Sequence, residues 1–215
     1  MVLDKLRITE IFLSLQGESR SVGWPTVFVR LTGCPLRCVY CDTTYAFSGG
    51  ESRTIDDILE QVRSYQTRHV CVTGGEPLAQ PGCTTLLRAL VKQGHEVSLE
   101  TSGALDISAV DRRVTKVIDL KTPSSGEMGR NLYANIDHLL PTDQIKFVIM
   151  NELDYQWAMG MLEKFRLTER CEVLFSPAMR VQDPTELAEK ILADRLPVRF
   201  QLQLHKILWG DVQGR

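Results

Sequence analysis

Three cysteines fall within eight residues, in the run Cys34-Pro35-Leu36-Arg37-Cys38-Val39-Tyr40-Cys41-Asp42. Their spacing is Cys-x3-Cys-x2-Cys. Thiolates are soft ligands that suit zinc and iron–sulfur clusters. In a reducing compartment thiols packed this closely favour a metal over a disulfide framework. Structural zinc takes four ligands, and no fourth Cys or His is near in sequence. His69 and His95 are remote and sit near expected strand starts. A cubane iron–sulfur cluster on three thiolates would leave one iron open to the nitrogen and oxygen of a small molecule. The bland alternative is a set of loop thiols, or part of a zinc site. Cys71, Cys83 and Cys171 are expected to be inert thiols in or beside regular elements.

The second signal is Thr73-Gly74-Gly75-Glu76-Pro77. Paired glycines permit positive φ and let backbone approach a ligand closely. A glycine pair alone marks a turn. Its position gives it weight, because it follows a strand just as the cysteine run does.

The elements that must position these residues read as alternating strands and helices. Strands are expected at Thr26–Leu31, His69–Thr73, Glu96–Thr101, Val117–Lys121, Ile145–Met150, Cys171–Phe175 and Val198–Leu204. Helices are expected at Thr54–Tyr65, with Thr54 and Asp57 as a capping pair, and at Thr84–Gln93, stopped by Gly94. Further helices are expected at Asn131–Leu140, at Asp154–Arg166 and after Asp183-Pro184. The loop Ala46–Arg53 reads as a flexible connection. Strands separated by helices imply a largely parallel sheet with helices outside. A complete eight-fold barrel needs about 250 residues, and this chain has 215. The fold class is therefore α/β, an incomplete, open TIM-type barrel, expected as a single domain over residues 1–215. The polar and Gly-rich segments follow strand C-termini, where parallel α/β folds bind ligands.

Composition narrows the class. Hydrophobic residues make up 43% and charged residues 24%, and the net charge is −2. That excludes disorder and a strongly basic nucleic-acid footprint. No apolar run approaches the ~20 residues of a membrane span, and the N-terminus is too charged for a secretory signal. A cytoplasmic protein without nucleic-acid or membrane partners is expected.

At these residues the chain resembles the radical S-adenosylmethionine (SAM) superfamily. The resemblance narrows with Leu15-Gln16-Gly17-Glu18, Phe28-Val29-Arg30, Cys41-Asp42-Thr43 and Gln203-Leu204-His205-Lys206. Together they are similar to the 7-carboxy-7-deazaguanine synthase family, over about Ile11 to Lys206. The resemblance implies a 4Fe–4S cluster on Cys34, Cys38 and Cys41. It implies SAM bound at Tyr40, Cys41, Asp42 and Gly75, along Asp119, Leu120 and Lys121, and along Ser176, Pro177, Ala178 and Met179. It places substrate at Leu15, Gln16, Gly17, Arg30 and Thr73, and Mg2+ at Thr43. The implied reaction is a lyase reaction. Radical ring contraction of 6-carboxy-5,6,7,8-tetrahydropterin gives 7-carboxy-7-deazaguanine and ammonia, on the queuosine and deazapurine route. A homodimer and an electron donor such as flavodoxin or ferredoxin are implied as well.

The chain departs from the family pattern in three places. Ser19 stands where the family commonly has Gly, Asp119-Leu120-Lys121 stands where many relatives have Ser-Pro-Lys, and the chain continues past Lys206 to Arg215. Two other functions compete. One is a glycyl-radical activating enzyme, which Leu15-Gln16-Gly17-Glu18 disfavours. The other is a non-catalytic metal-binding module holding zinc.

Overall fold

A computed structural model describes residues 5–214. One nine-stranded sheet dominates them. Its strands are β1 (Lys5–Leu15), β2 (Pro25–Leu31), β3 (Glu51–Thr54), β4 (His69–Gly74), β5 (Glu96–Thr101), β6 (Thr115–Asp119), β7 (Gln144–Ile149), β8 (Glu172–Pro177) and β9 (Arg199–Phe200). The order is β3-β1-β2-β4-β5-β6-β7-β8-β9. From β2 onward every neighbouring pair is parallel. β1 runs antiparallel to both β2 and β3. β3 and β9 lie at the two edges, so the sheet does not close. This is the expected partial barrel.

Strand alternation decides what faces the lumen. Successive side chains point to opposite faces. Val27, Val29 and Leu31 of β2 enter the hydrophobic core, while Phe28 and Arg30 face the central cavity. On β7, Ile145, Phe147 and Ile149 join the core, and Lys146 and Val148 face inward. Phe147 packs edge-on against Trp157 and Phe175. Burying side chains of this size stabilises by roughly 1.5–3 kcal/mol each.

The outer helices are α1 (Ile55–Ser64), α2 (Cys83–Lys92), α3 (Glu152–Phe165), the short α4 (Leu167–Arg170) and α5 (Pro184–Ala193). Thr54 and Asp57 form the expected reciprocal capping box on α1. Asp183 accepts from the Thr185 and Glu186 amides at the start of α5. Gly94 ends α2 at φ +90°.

Four expectations need correction. β1 lies where the sequence reading places no strand. The expected flexible loop Ala46–Arg53 holds part of a 3-10 turn (Thr44–Phe47) and most of β3. β3 reads Glu-Ser-Arg-Thr, so it pairs through backbone without an apolar signature. The expected helix at Asn131–Leu140 is a 3-10 turn at Tyr133–His138. There Asn135 donates to the Gly103 and Leu105 carbonyls and accepts from the Ile107 amide. The expected strand Val198–Leu204 keeps only Arg199–Phe200. The Leu204 amide bonds instead to the Gly17 carbonyl at 2.9 Å, and α6 (Leu204–Trp209) begins there.

Candidate active site

At the C-terminal ends of the parallel strands lies a cavity of about 650 Å³. That volume suits a cofactor and a small molecule. Its wall gathers Cys34, Cys38 and Cys41 with Tyr40, Asp42, Thr43 and Gly75. It also gathers Leu15, Gln16, Arg30, Thr73, Asp119, Lys121 and the stretch Ser176, Pro177, Ala178 and Met179. Two expected site residues stay off the wall. Leu120 is in the core at 1% exposure. Gly17 packs under His205, whose Nδ1 would lie 2.1 Å from a Cβ added there.

The cysteine loop follows β2 and has little regular structure. Leu36, 1% exposed, anchors it. The Val39 amide donates to the Ser125 carbonyl at 3.0 Å, and the Cys41 amide to the Cys38 carbonyl at 3.2 Å. Arg37 Nη1 donates to the Cys34 and Leu36 carbonyls, and its guanidinium lies 4.2 Å from the Phe47 ring centre. Gly75 is pressed against this loop. A Cβ there would meet the Gly33 carbonyl oxygen at 2.2 Å and Cys34 Cβ at 2.8 Å. Glu76, fully buried, accepts from the Thr101 hydroxyl, the Ser102 amide and hydroxyl, and the Leu78 amide. It thereby ties the ends of β4 and β5 together.

The donor set fits a cluster. Three thiols, and no histidine or carboxylate between them, come from one loop on the cavity rim, and soft thiolates suit iron–sulfur centres. A cubane gives each thiolate its own iron. Burial pushes the Cys34 thiol up, and the Cys38 thiol to about 11. Bound metal reverses that preference by stabilising thiolate. Among the described residues four buried side-chain polar atoms lack partners, and two of them, Tyr40 Oη and Asp119 Oδ1, belong to side chains that line the cavity. Such atoms await a ligand's polar groups.

The lumen carries a chain of charges. Lys146 Nζ lies 2.7 Å from Glu18 Oε2 and 3.6 Å from Asp119 Oδ2. Lys121 Nζ lies 3.0 Å from the same Asp119 oxygen. Burial pushes Glu18 up, but the ammonium of Lys146 and hydrogen bonds from Lys146 and Gln203 outweigh it and hold the carboxyl below its ordinary value. Burial depresses Lys146, but Glu18 and Asp119 raise it well above the ordinary amine range. Nearer the mouth, Thr43 Oγ1 donates to Asp42 Oδ1 at 2.7 Å, and Lys206 Nζ stands 3.6 Å from Asp42 Oδ2. Burial raises Asp42, but the Thr43 hydroxyl and Lys206 bring it below its usual range. On the adjoining wall Gln16 and Thr73 both donate to Glu100.

Sequence reasoning assigned no role to Glu18, Lys146 or Glu100. Lys146 had a readable signal, a lone charge inside the apolar strand Ile145–Ile149. Glu18 stood within a quoted motif, and only its partner across the lumen gives it a job.

A half-open parallel sheet that sets three thiols and a glycine turn at the ends of adjacent strands is the architecture of the radical SAM superfamily, and residues 28–166 match that superfamily. Finer likeness comes from whole chains. A curated 7-carboxy-7-deazaguanine synthase of Chlorobaculum tepidum is 46% identical, covering 97% of each chain. That of Koribacter versatilis is 41% identical over 95% of this chain and 97% of the relative. The crystal structure of QueE from Escherichia coli superposes with a TM-score of 0.78 at 24% identity, covering 94% of this chain and 95% of the other. The peptide-bound structure of Streptococcus suis SuiB shares the fold more loosely, at TM-score 0.60 over 80% of this chain and 46% of the other. The chain belongs to the 7-carboxy-7-deazaguanine synthase family. It is a radical SAM enzyme, and its cofactors are a 4Fe–4S cluster and SAM.

Proposed function

We propose that this chain converts 6-carboxy-5,6,7,8-tetrahydropterin to 7-carboxy-7-deazaguanine, as one domain spanning residues 1–215. Substrate and product differ by ammonia alone, so the overall reaction consumes no electrons. The observation that carries this reading is the shared cavity. Its one rim holds Cys34, Cys38 and Cys41, and its wall holds Gln16, Arg30 and Thr73.

Cys34, Cys38 and Cys41 hold the cluster. The cluster with SAM, when bound, supplies a carbon radical able to take hydrogen from the pterin ring. Tyr40, Asp42, Gly75, Asp119, Lys121 and the segment Ser176 to Met179 would hold SAM, while Leu120 anchors its segment in the core. The partnerless oxygens of Tyr40 and Asp119 support that placement. Gly75 lets backbone stand close to the ligand. Leu15 and Gln16 form one side of the substrate site, with Thr73 beside Gln16, and Gly17 stands behind them where only a residue without a side chain leaves room for His205. Arg30 offers a planar, always-charged fork to the substrate carboxylate. Thr43 offers a hydroxyl oxygen to Mg2+, a hard cation that prefers oxygen ligands.

Anaerobic incubation of cluster-replete protein with the tetrahydropterin, SAM, reductant and Mg2+ tests the reading. Ring-contracted product is expected, and its absence refutes the proposal. Thr43→Ala should weaken the Mg2+ response, and an unchanged response removes Thr43 from the metal site. Assembly as a homodimer, reduction by flavodoxin or ferredoxin and a cytoplasmic location belong to the same reading. No helix among the described residues is long and apolar enough to cross a membrane.

A further inference from the structure

Arg30 is held more firmly than its own strand requires. Glu10 of β1 lies opposite it across the antiparallel pair, where the register shifts between Ile8 and Glu10. Such irregularities re-aim a side chain. Glu10 Oε1 accepts from Arg30 Nε at 2.7 Å and from the Tyr45 hydroxyl at 2.8 Å. The Arg30 guanidinium carbon lies 5.9 Å from the ring centres of both Phe12 and Tyr45. Phe12 is itself fixed by stacking on Phe28 at 5.1 Å. Arg30, Phe12 and Tyr45 all line the cavity, whereas Glu10 stands behind them and is not part of the wall.

This arrangement has a directional consequence. A guanidinium can grip a carboxylate through its two terminal nitrogens or through Nε and one terminal nitrogen. Glu10 takes Nε, so the end-on pair is what remains for a ligand. The two flanking rings restrict the fork's plane.

We infer that Glu10 and Tyr45 are positioning residues that fix Arg30 end-on toward the cavity, and so select pterin-type heterocycles bearing a carboxylate over the same ring without one. The inference rests on the reading of Arg30 as the carboxylate fork. Glu10 acts through Arg30 and never touches the ligand. Tyr45 shares the carboxylate of Glu10, and its own 3-10 turn begins directly after Thr43.

The test is equilibrium binding to the cluster-loaded, SAM-bound enzyme, with no turnover. Two oxidised, unreactive probes are titrated, 6-carboxypterin and pterin. Their affinity ratio measures what the carboxylate adds. Arg30→Gln should bring the ratio close to one. Glu10→Ala should reduce the wild-type ratio about five-fold, the net worth of one ordinary hydrogen bond. Glu10→Gln, which keeps an acceptor without the charge, should restore most of it. Tyr45→Phe should reduce it about two-fold, and it carries the test if Glu10→Ala does not fold. Affinity for pterin itself should stay constant in the Glu10 variants, because Glu10 is not part of the cavity wall. A ratio kept or raised in Glu10→Ala, with Arg30→Gln collapsed, overturns the inference and leaves the Arg30 reading intact. So does a Glu10→Gln variant no better than Glu10→Ala, because charge would then matter and geometry would not. A ratio unchanged in Arg30→Gln overturns the Arg30 reading itself.

Discussion

The cysteine loop and the lumen beneath it are built on opposite principles. The loop carries three partly exposed thiols, one buried apolar anchor and few internal hydrogen bonds. The lumen is closely paired. Glu76 is saturated with donors, and Glu18, Lys146, Asp119 and Lys121 form one connected run of charges. The difference indicates where order comes from. Among the described residues the loop's thiols have a single polar partner to hold them in place, the Leu36 amide 3.4 Å from Cys34 Sγ. The lumen's charges stand in position beforehand, because an unpaired buried charge costs several kcal/mol.

Removing one thiol should therefore separate the two regions most sharply. Cys38→Ala is expected to abolish cluster incorporation and SAM cleavage while the fold persists. Iron and sulfide assays measure the first, and the apo-protein's unfolding midpoint measures the second. Apo stability should change by less than about 0.5 kcal/mol, as for a residue outside the core. A variant that still yields 5′-deoxyadenosine would break the assignment.

Lys146→Met reverses the pattern. It leaves two largely buried carboxylates without their shared cation, and should destabilise the apo-protein by about 3 kcal/mol. Adding Glu18→Gln should recover part of that loss. The pH dependence follows from the directions of the two shifts. Glu18 sits below its ordinary value when folded, so its contribution is present above the unfolded carboxylate value, about 4.3, and is lost as pH falls through the folded value. Lys146 sits above its ordinary value, so its contribution is present below about 10.4 and is lost as pH rises through the folded value. Both limbs should flatten in Lys146→Met. Denaturant unfolding across pH checks this, and unchanged limbs would show that the pair stores no stability.

The same contrast explains what could be read from the sequence. Six of the expected strands coincide with β2 and β4 to β8, because buried parallel strands are written as apolar runs; the seventh overlaps β9 only at Arg199–Phe200. The cysteine run and the glycine turn were legible because local spacing carries them. β3 was hidden, since a polar edge strand needs only backbone partners. The end of the chain was misread because Leu204 leaves the sheet to bond Gly17, some 187 positions earlier in sequence. Glu10 and Glu18 carry no local signal for the same reason, and Lys146 shows only as a lone charge in an apolar strand. Their meaning lies in partners brought together by register and strand order, which no window of neighbouring residues contains.

Gly75→Ala probes the seam between the two regions. Its Cβ would collide with backbone at Gly33 and with Cys34 Cβ, so the first thiol must move. Overpacking of this kind costs about 1–3 kcal/mol, and SAM affinity should fall about ten-fold, the equivalent of 1.4 kcal/mol. Gly129→Ala is the control, because nothing lies within 4 Å of its Cβ position. Equal SAM titrations for the two variants would place Gly75 outside the ligand's reach.

The smallest effect tests how rigid the lumen's own entry is. Ser19 follows Glu18 directly, is 2% exposed and holds φ at +67°. A side chain in that conformation costs roughly 1–2 kcal/mol, and glycine escapes the cost at the expense of chain entropy, about 0.5–1 kcal/mol. This gives a physical reason why glycine would suit the position. Here the serine hydroxyl offsets part of the strain, lying 3.1 Å from Ser21 Oγ and accepting from the Ser21 amide at 3.4 Å. Ser19→Gly should therefore raise stability by only about 0.5 kcal/mol. Ser19→Ala keeps the strain and loses the hydroxyl, so it should lower stability by about 1 kcal/mol. Glu18 keeps its bond to Lys146 in both variants, so KM for the pterin should not move. A stabilised Ser19→Gly with a raised KM would mean that the strained turn itself aims the Leu15 to Glu18 segment, and rigidity there would then originate in the backbone and not in the charge pair.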